Sequence, residues 1–171
     1  MNECQAPYPP IPGLQPVMSI TALLADAETL GHCAEGYRVN YPIIGGHFTG
    51  PQLKGTVLPG GVDCFLLRTD GGGDLDARYS LRTDDGVLIN IHNVGLLTLS
   101  EQGRELEAQG VWPVPSSEYS CTCTPRFQVA AGPLAWLTQS AFIGLVQYPS
   151  ATEVLIHCYR LPYFWAPVTR P

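Results

Sequence analysis

DLDARYSLRTDDGVLINIHNVGLL, residues 74–97, decides how the rest of the chain is read. Side chains on a strand alternate between two faces, so Asp74, Asp76, Arg78, Ser80 and Arg82 fall on one side. Leu75, Ala77, Tyr79 and Leu81 fall on the other. Asp84-Asp85-Gly86 supplies a tight hairpin turn, and VLINIHNVGLL (87–97) returns antiparallel to the first strand. A hairpin with one apolar face commits this part of the chain to antiparallel sheet.

Working outward, the same pattern recurs. Segments 17–25, 36–41, 47–50, 53–58, 62–69, 119–130, 140–148 and 152–161 read as strands, with Pro51 separating the third from the fourth. Ser100 is placed to cap a short helix over 101–109, although Gly103 weakens it. Residues 134–137 read as a turn carrying Trp136. The 18 glycines and 16 prolines are spread along the whole length, as many short strands between turns require. The expected fold is all-β: a single antiparallel barrel of about eight to ten strands with one short helix. It forms one domain over residues 1–171, with a proline-rich arm at 1–16 and an apolar tail at 162–171.

Charge excludes several classes of partner. The net charge is −6 and Lys54 is the single lysine, so no basic stripe exists to bind nucleic acid or an anionic membrane surface. No apolar run approaches the roughly 20 residues that a spanning helix needs. The first residues lack the basic start and apolar stretch of a signal peptide, which points to a cytoplasmic location. The six cysteines are then expected to be reduced and mostly buried. Cys121 and Cys123 form C-x-C, but no second pair or spaced histidines complete a zinc set, so no metal is expected. Neither a G-x-S-x-G elbow nor a P-loop is present, and no G-x-G-x-x-G follows a strand. No cofactor is expected.

The charged face of 74–83 admits two readings. By pattern alone it faces water, the ordinary arrangement in an antiparallel sheet. Against this, charge is scarce, at 14% of the chain, and the signs alternate along the row, which suits pairing inside a cavity.

A family resemblance enters through GGHFTGPQLKGTVLPGGVDCFLLRTDG (45–71) and LDARYSLRTDDGVLINIHNVG (75–95), with TPRF (124–127), WL (136–137), FIG (142–144) and CYR (158–160) further on. These segments closely resemble the domain-of-unknown-function 3237 family, also called UPF0311, over roughly residues 17–161. The resemblance implies a lipocalin-like barrel that self-associates as a homo-oligomer. Most of the family has no assigned function. Some fungal relatives look like non-oxidative cyclases that close an oxygen ring from a phenol and a prenyl alkene. Departures are Cys64, where an aromatic is frequent, and Ile91-His92-Asn93, where valine-arginine-asparagine is more usual.

The resemblance turns the charged row inward. On that reading Asp76, Arg78 and Lys54 surround one cavity as acid, fixed cation and amine, and act as the catalytic set. Arg82, Asp63, Tyr79, His92 and Trp136 are the candidate substrate-binding residues. Each also has an ordinary structural role: Lys54 reaching water, Asp63 holding a turn, Tyr79 in the core, His92 hydrogen-bonded at the surface. The function expected is a cofactor-independent cyclase or isomerase acting on an aromatic, polyketide-like small molecule by general acid–base catalysis. A carrier barrel that binds such a molecule without converting it is the alternative.

Overall fold

The computed structural model describes residues 13–162. Most of the proline-rich arm and nearly all of the apolar tail lie outside the described residues. Ten strands follow in chain order: β1 (Gln15–Leu24), β2 (Glu28–Cys33), β3 (Gly36–Thr49), β4 (Lys54–Val57) and β5 (Gly61–Arg68) come first. Then come β6 (Gly73–Thr83), β7 (Leu88–Leu99), β8 (Tyr119–Val129), β9 (Phe142–Ser150) and β10 (Glu153–Arg160). One helix, α1 (Glu101–Ala108), stands between β7 and β8.

Pairing is antiparallel throughout and runs as a meander from β3 to β10. β1 pairs with both β10 and β3, which closes the barrel. β2 continues along β3 where β1 leaves off, and β5 continues along β3 and β6 where β4 leaves off. Ten strands therefore make an eight-stave barrel with two extra strands. The all-β barrel with one short helix expected from the sequence is the fold observed.

Two local differences and one expected turn have physical causes. Segments 36–41 and 47–50 belong to one 14-residue strand, because Gly45-Gly46 bends β3 without ending it. Gly46 has φ +133, and a Cβ there would meet the Thr21 carbonyl at 2.0 Å, so the backbone of β1 approaches where a side chain would block it. β2 was not anticipated, since its side chains are mostly exposed and carry no apolar alternation. The β6–β7 turn is longer than two residues. Gly86 takes φ +92 and donates to the Thr83 carbonyl, while Val87 N–H donates to Thr83 Oγ1 at 2.8 Å. Helix α1 is capped by the Ser100 hydroxyl, which accepts from Gly103 N–H at 2.9 Å. Gly103 lowers helix propensity but lets the helix approach the Glu118 carbonyl, where a Cβ would stand 2.5 Å away.

Strand β6 corrects the orientation of the charged row. Leu75, Ala77, Tyr79 and Leu81 are buried, whereas Asp76, Arg78 and Arg82 are exposed. The charges lie on the outer face, and the expectation that they line the barrel is not met. The cause is ordinary: ionic groups stay hydrated outside while the apolar face closes the core. The core itself is uneven. Phe48, Leu81, Ile89 and Phe127 fill one end of the barrel, where Leu53 and Leu137 close over them. At the other end the inward residues include Ala22 and Ala77, and an internal space remains.

Candidate functional site

That space is a cavity of about 360 Å³, opening toward the end that carries the β9–β10 turn and α1. One rung of the barrel organises its floor. Tyr41 on β3 lies opposite Asp63 on β5, Asp63 opposite Ala77 on β6, and Ala77 opposite Asn93 on β7. All four line the cavity. The small Ala77 between Asp63 and Asn93 leaves room for a ligand to meet both. Tyr79 lies two residues further along β6 on the same face.

Asp63 is the ionisable group at this floor. Its Oδ1 accepts from the Asp76 backbone N–H at 2.9 Å, at a point where the β5–β6 ladder is irregular. Burial pushes its carboxyl up to about 6; the Asp76 N–H pulls down against this, and the Asp76 charge outside adds a smaller upward push. An acid with this value holds its proton far better than a surface aspartate. Burial also raises Tyr41, with the charges of Asp63 and Glu107 adding to it. Tyr79 is raised well above a normal phenol, burial again leading. The phenols around Asp63 therefore remain protonated at neutral pH.

Two buried polar atoms at the floor have no partner: the Tyr79 hydroxyl and Asn93 Oδ1. Their residues are only 6% and 4% exposed. A buried polar group left unpaired is costly, and both atoms lie behind the cavity wall, the Tyr79 hydroxyl on the side of Cys158 and Cys123, which do not line the cavity.

The rim is different. Glu107 of α1 and Glu153 at the start of β10 reach the cavity, with Trp112 and Tyr148 beside them. The Trp112 and Tyr148 rings are tilted, with centroids 5.0 Å apart, and Tyr119 packs edge-on against Tyr148 at 5.5 Å. Tyr148 N–H donates to Tyr119 Oη at 3.1 Å, so a side chain bridges β8 and β9 where their ladder is short. Partial burial raises the Glu107 carboxyl. Among the described residues, no lysine, arginine or histidine lines this cavity.

The residues singled out from sequence divide accordingly. Asp63 and Tyr79 line the cavity. Asp76 faces out and pairs with His92, Nε2 to Oδ1 at 2.7 Å. Arg78 lies beside His92 on the same outer surface, and Arg82 is exposed further along β6. Lys54 is 71% exposed in its side chain and pairs with Asp84 at 3.7 Å. Trp136 belongs to the packed end, with the Arg160 guanidinium 5.3 Å from its ring centroid. Asp76, Arg78, Lys54, Arg82, His92 and Trp136 thus do not meet around one cavity, which corrects the expected grouping. Sequence reading missed Tyr41, Asn93, Trp112, Tyr148, Glu107 and Glu153. The available signal was Ala77, a small inward residue in the middle of β6, whose cross-strand neighbours are Asp63 and Asn93.

The cysteines are not a reactive set. Burial pushes Cys121 up to about 11 and Cys123 up to about 12, so both stay thiols and neither is primed as a nucleophile. Among the described residues, no group of three or more histidine, cysteine and acidic side chains is arranged to hold a metal ion. Likewise, no helix there is long and apolar enough to cross a membrane.

Comparison with known proteins agrees with this architecture. The family model described as "Protein of unknown function (DUF3237)" matches residues 12–161. A UPF0311 protein of Rhodopseudomonas palustris is 33% identical over 129 residues, covering 75% of this chain and 83% of the relative. The crystal structure of a protein of unknown function from Clostridium acetobutylicum superposes with TM-score 0.80 at 31% identity, covering 87% of this chain and 98% of that one. A structure of an enzyme from Penicillium herquei superposes with TM-score 0.64 at 19% identity, covering 92% and 99%, a likeness of fold.

Proposed function

We propose that this chain, which belongs to the DUF3237 family of proteins of unknown function, is a cofactor-independent cyclase or isomerase that works by acid–base catalysis in its barrel cavity. The observation that carries the reading is Asp63: a carboxyl at about 6, facing a cavity on the same rung as Tyr41 and Asn93. The substrate is an aromatic molecule with a phenol and an alkene or enone, as the family resemblance implies.

In this mechanism Asp63 gives its proton to the alkene carbon or enone oxygen and leaves an electron-poor carbon. The phenol oxygen attacks that carbon and forms the ring C–O bond. The phenol proton then passes to the Asp63 carboxylate, so the reaction is a net isomerisation and the enzyme returns to its starting state. Because no lysine, arginine or histidine lines the cavity among the described residues, proton addition before phenol attack is favoured over a preformed phenolate. Asp63 takes the acid role first expected of Asp76, whose carboxylate is in solvent.

The carrier alternative has its own support. A largely apolar cavity of about 360 Å³ suits an aromatic ligand and does not by itself require chemistry.

The test incubates the protein with prenylated polycyclic phenols and follows ring closure by chiral chromatography. Wild type should give an enantiomerically enriched product. Asp63→Asn should slow it about 10²–10⁴-fold, the usual worth of general acid–base catalysis. Racemic product at the background rate, with a phenol still raising the melting temperature, would replace the enzyme by the carrier.

A further inference from the structure

The charge distribution inside the cavity is one-sided. Every ionisable group that reaches it, among the described residues, is a carboxylic acid or a phenol: Asp63 at the floor, Glu107 and Glu153 at the rim, and the tyrosines between them. The cations lie elsewhere; Arg78 and Arg82 are on the outer face of β6, and Lys54 pairs with Asp84 in water. A neutral aromatic ligand entering this cavity would partly desolvate the rim carboxylates and offer them nothing in return. A carboxylate or phosphate ligand would be repelled.

The rim also has the rings that a cation uses. Trp112 and Tyr148 stand 5.0 Å apart by centroid beside Glu107 and Glu153, and aromatic faces attract positive charge through their quadrupole. The cavity itself, about 360 Å³ and open at this rim, gives the independent reason to expect a ligand.

We infer that the natural ligand of this cavity is an aromatic molecule bearing a protonated nitrogen, with its aromatic body toward Asp63 and Asn93 and its cationic end at the rim among Glu107, Glu153, Trp112 and Tyr148. This rests on the reading of the cavity as the small-molecule site and narrows the substrate class. It also separates two tasks. The rim carboxylates hold the cation, which leaves Asp63 to the reacting end of the molecule. A prenylated phenol that carries an alkylamine fits this division, whereas an acidic polyketide does not.

The test uses the full-length protein and three probes of matched shape: 1-naphthylmethylamine, 1-naphthylmethanol and 1-naphthylacetate, titrated by calorimetry at pH 7.5. The amine should bind about tenfold more tightly than the alcohol, and the acetate most weakly. Raising the salt concentration should weaken the amine and leave the alcohol unchanged. In the double variant Glu107→Gln, Glu153→Gln, amine affinity should fall by about tenfold while alcohol affinity stays within about twofold. The wild-type salt series needs no variant, so a folding defect in the double variant does not blunt the test. Alcohol or acetate binding as tightly as the amine overturns the inference, as does an amine affinity indifferent to both salt and the glutamates. Such a failure leaves the cyclase reading intact if Asp63→Asn still abolishes ring closure. Amine preference without turnover of any phenol keeps this inference and removes the cyclase. No binding of any of the three probes also overturns the inference, and the ring-closure assay then decides the cyclase reading by itself.

Discussion

Phe48 and Phe65 point into the same barrel from neighbouring parts of the wall, and their surroundings differ completely. Phe48 is 1% exposed and meets a filled interior with Leu81 and Ile89. Phe65 is partly exposed, borders the cavity and packs edge-on with Tyr41 at 6.3 Å. The strands continue from one end to the other, so the difference is not one of fold. It comes from the size of a few inward residues. Where large side chains interdigitate the barrel is solid, and where Ala22 and Ala77 take inward places it holds about 360 Å³. The polar groups that matter are gathered in the space the small residues leave.

This contrast is open to a direct challenge. Phe48→Ala removes a ring from a packed interior and should cost about 3–5 kcal/mol, because both burial and contacts are lost and the gap cannot close. Phe65→Ala removes a ring that already faces a void, and should cost about half as much. Urea unfolding of both variants measures the difference. Equal costs would mean that the two ends are packed alike.

Asp63 provides the next test, through pH. Its carboxyl is about 6 in the folded barrel against 3.8 for the free group. Between these values the native state binds the proton more tightly than the unfolded chain, so stability from this group falls as pH rises. Above about pH 6 the full loss, about 3 kcal/mol, is present. His157 works in the opposite direction just below its ordinary value, since burial lowers it and it must be charged on unfolding in acid. The two are separated by comparing wild type with Asp63→Asn. The variant should melt about 6–12 °C higher at pH 7.5 and about equally at pH 4, because the asparagine carries no charge to bury. A variant that melts lower at pH 7.5 would show that the Asp76 N–H bond outweighs the burial of the charge.

How much of this was legible in the sequence depends on which side of a strand is considered. Alternation in 74–83 sorted Asp76 from Ala77 correctly, and the barrel follows from repeating that pattern. What alternation does not give is the sign of the faces. Scarcity of charge argued that the row was special, but ionic side chains in a chain with little charge are more easily left outside, each beside a partner such as His92 or Asp84. The cavity floor was hidden for another reason. Tyr41, Asp63, Ala77 and Asn93 are far apart in sequence and meet only through the register of four strands. Asp63 alone was visible, as an acid after a Gly-Gly turn.

Filling the space should have a smaller effect than emptying the core. Ala77→Leu extends an inward side chain into the cavity from the centre of the floor rung, without displacing packed neighbours at the solid end. Stability should change by less than about 1 kcal/mol, while affinity for a naphthyl probe falls by about tenfold or more. Binding that survives unchanged would move the ligand site off this rung.

The smallest effect is expected on the outer face, and it bears directly on the charged row. Asp76 and His92 form a close pair at 2.7 Å, but their side chains are 53% and 32% exposed, so water and salt weaken what the distance suggests. Asp76→Asn keeps the backbone N–H that Asp63 accepts and leaves an oxygen facing His92. Its cost should be under about 1 kcal/mol and should shrink further in high salt. Removing the Asp76 charge also relieves one of the smaller pushes on Asp63, so ring closure should shift its pH dependence slightly downward without losing rate at pH 5. A large loss of rate in Asp76→Asn, with Asp63→Asn unaffected, would return the chemistry to the outer face and make the cavity a structural void. The pair of single variants therefore decides between the inner and outer faces of the barrel wall, with each variant serving as the other's control.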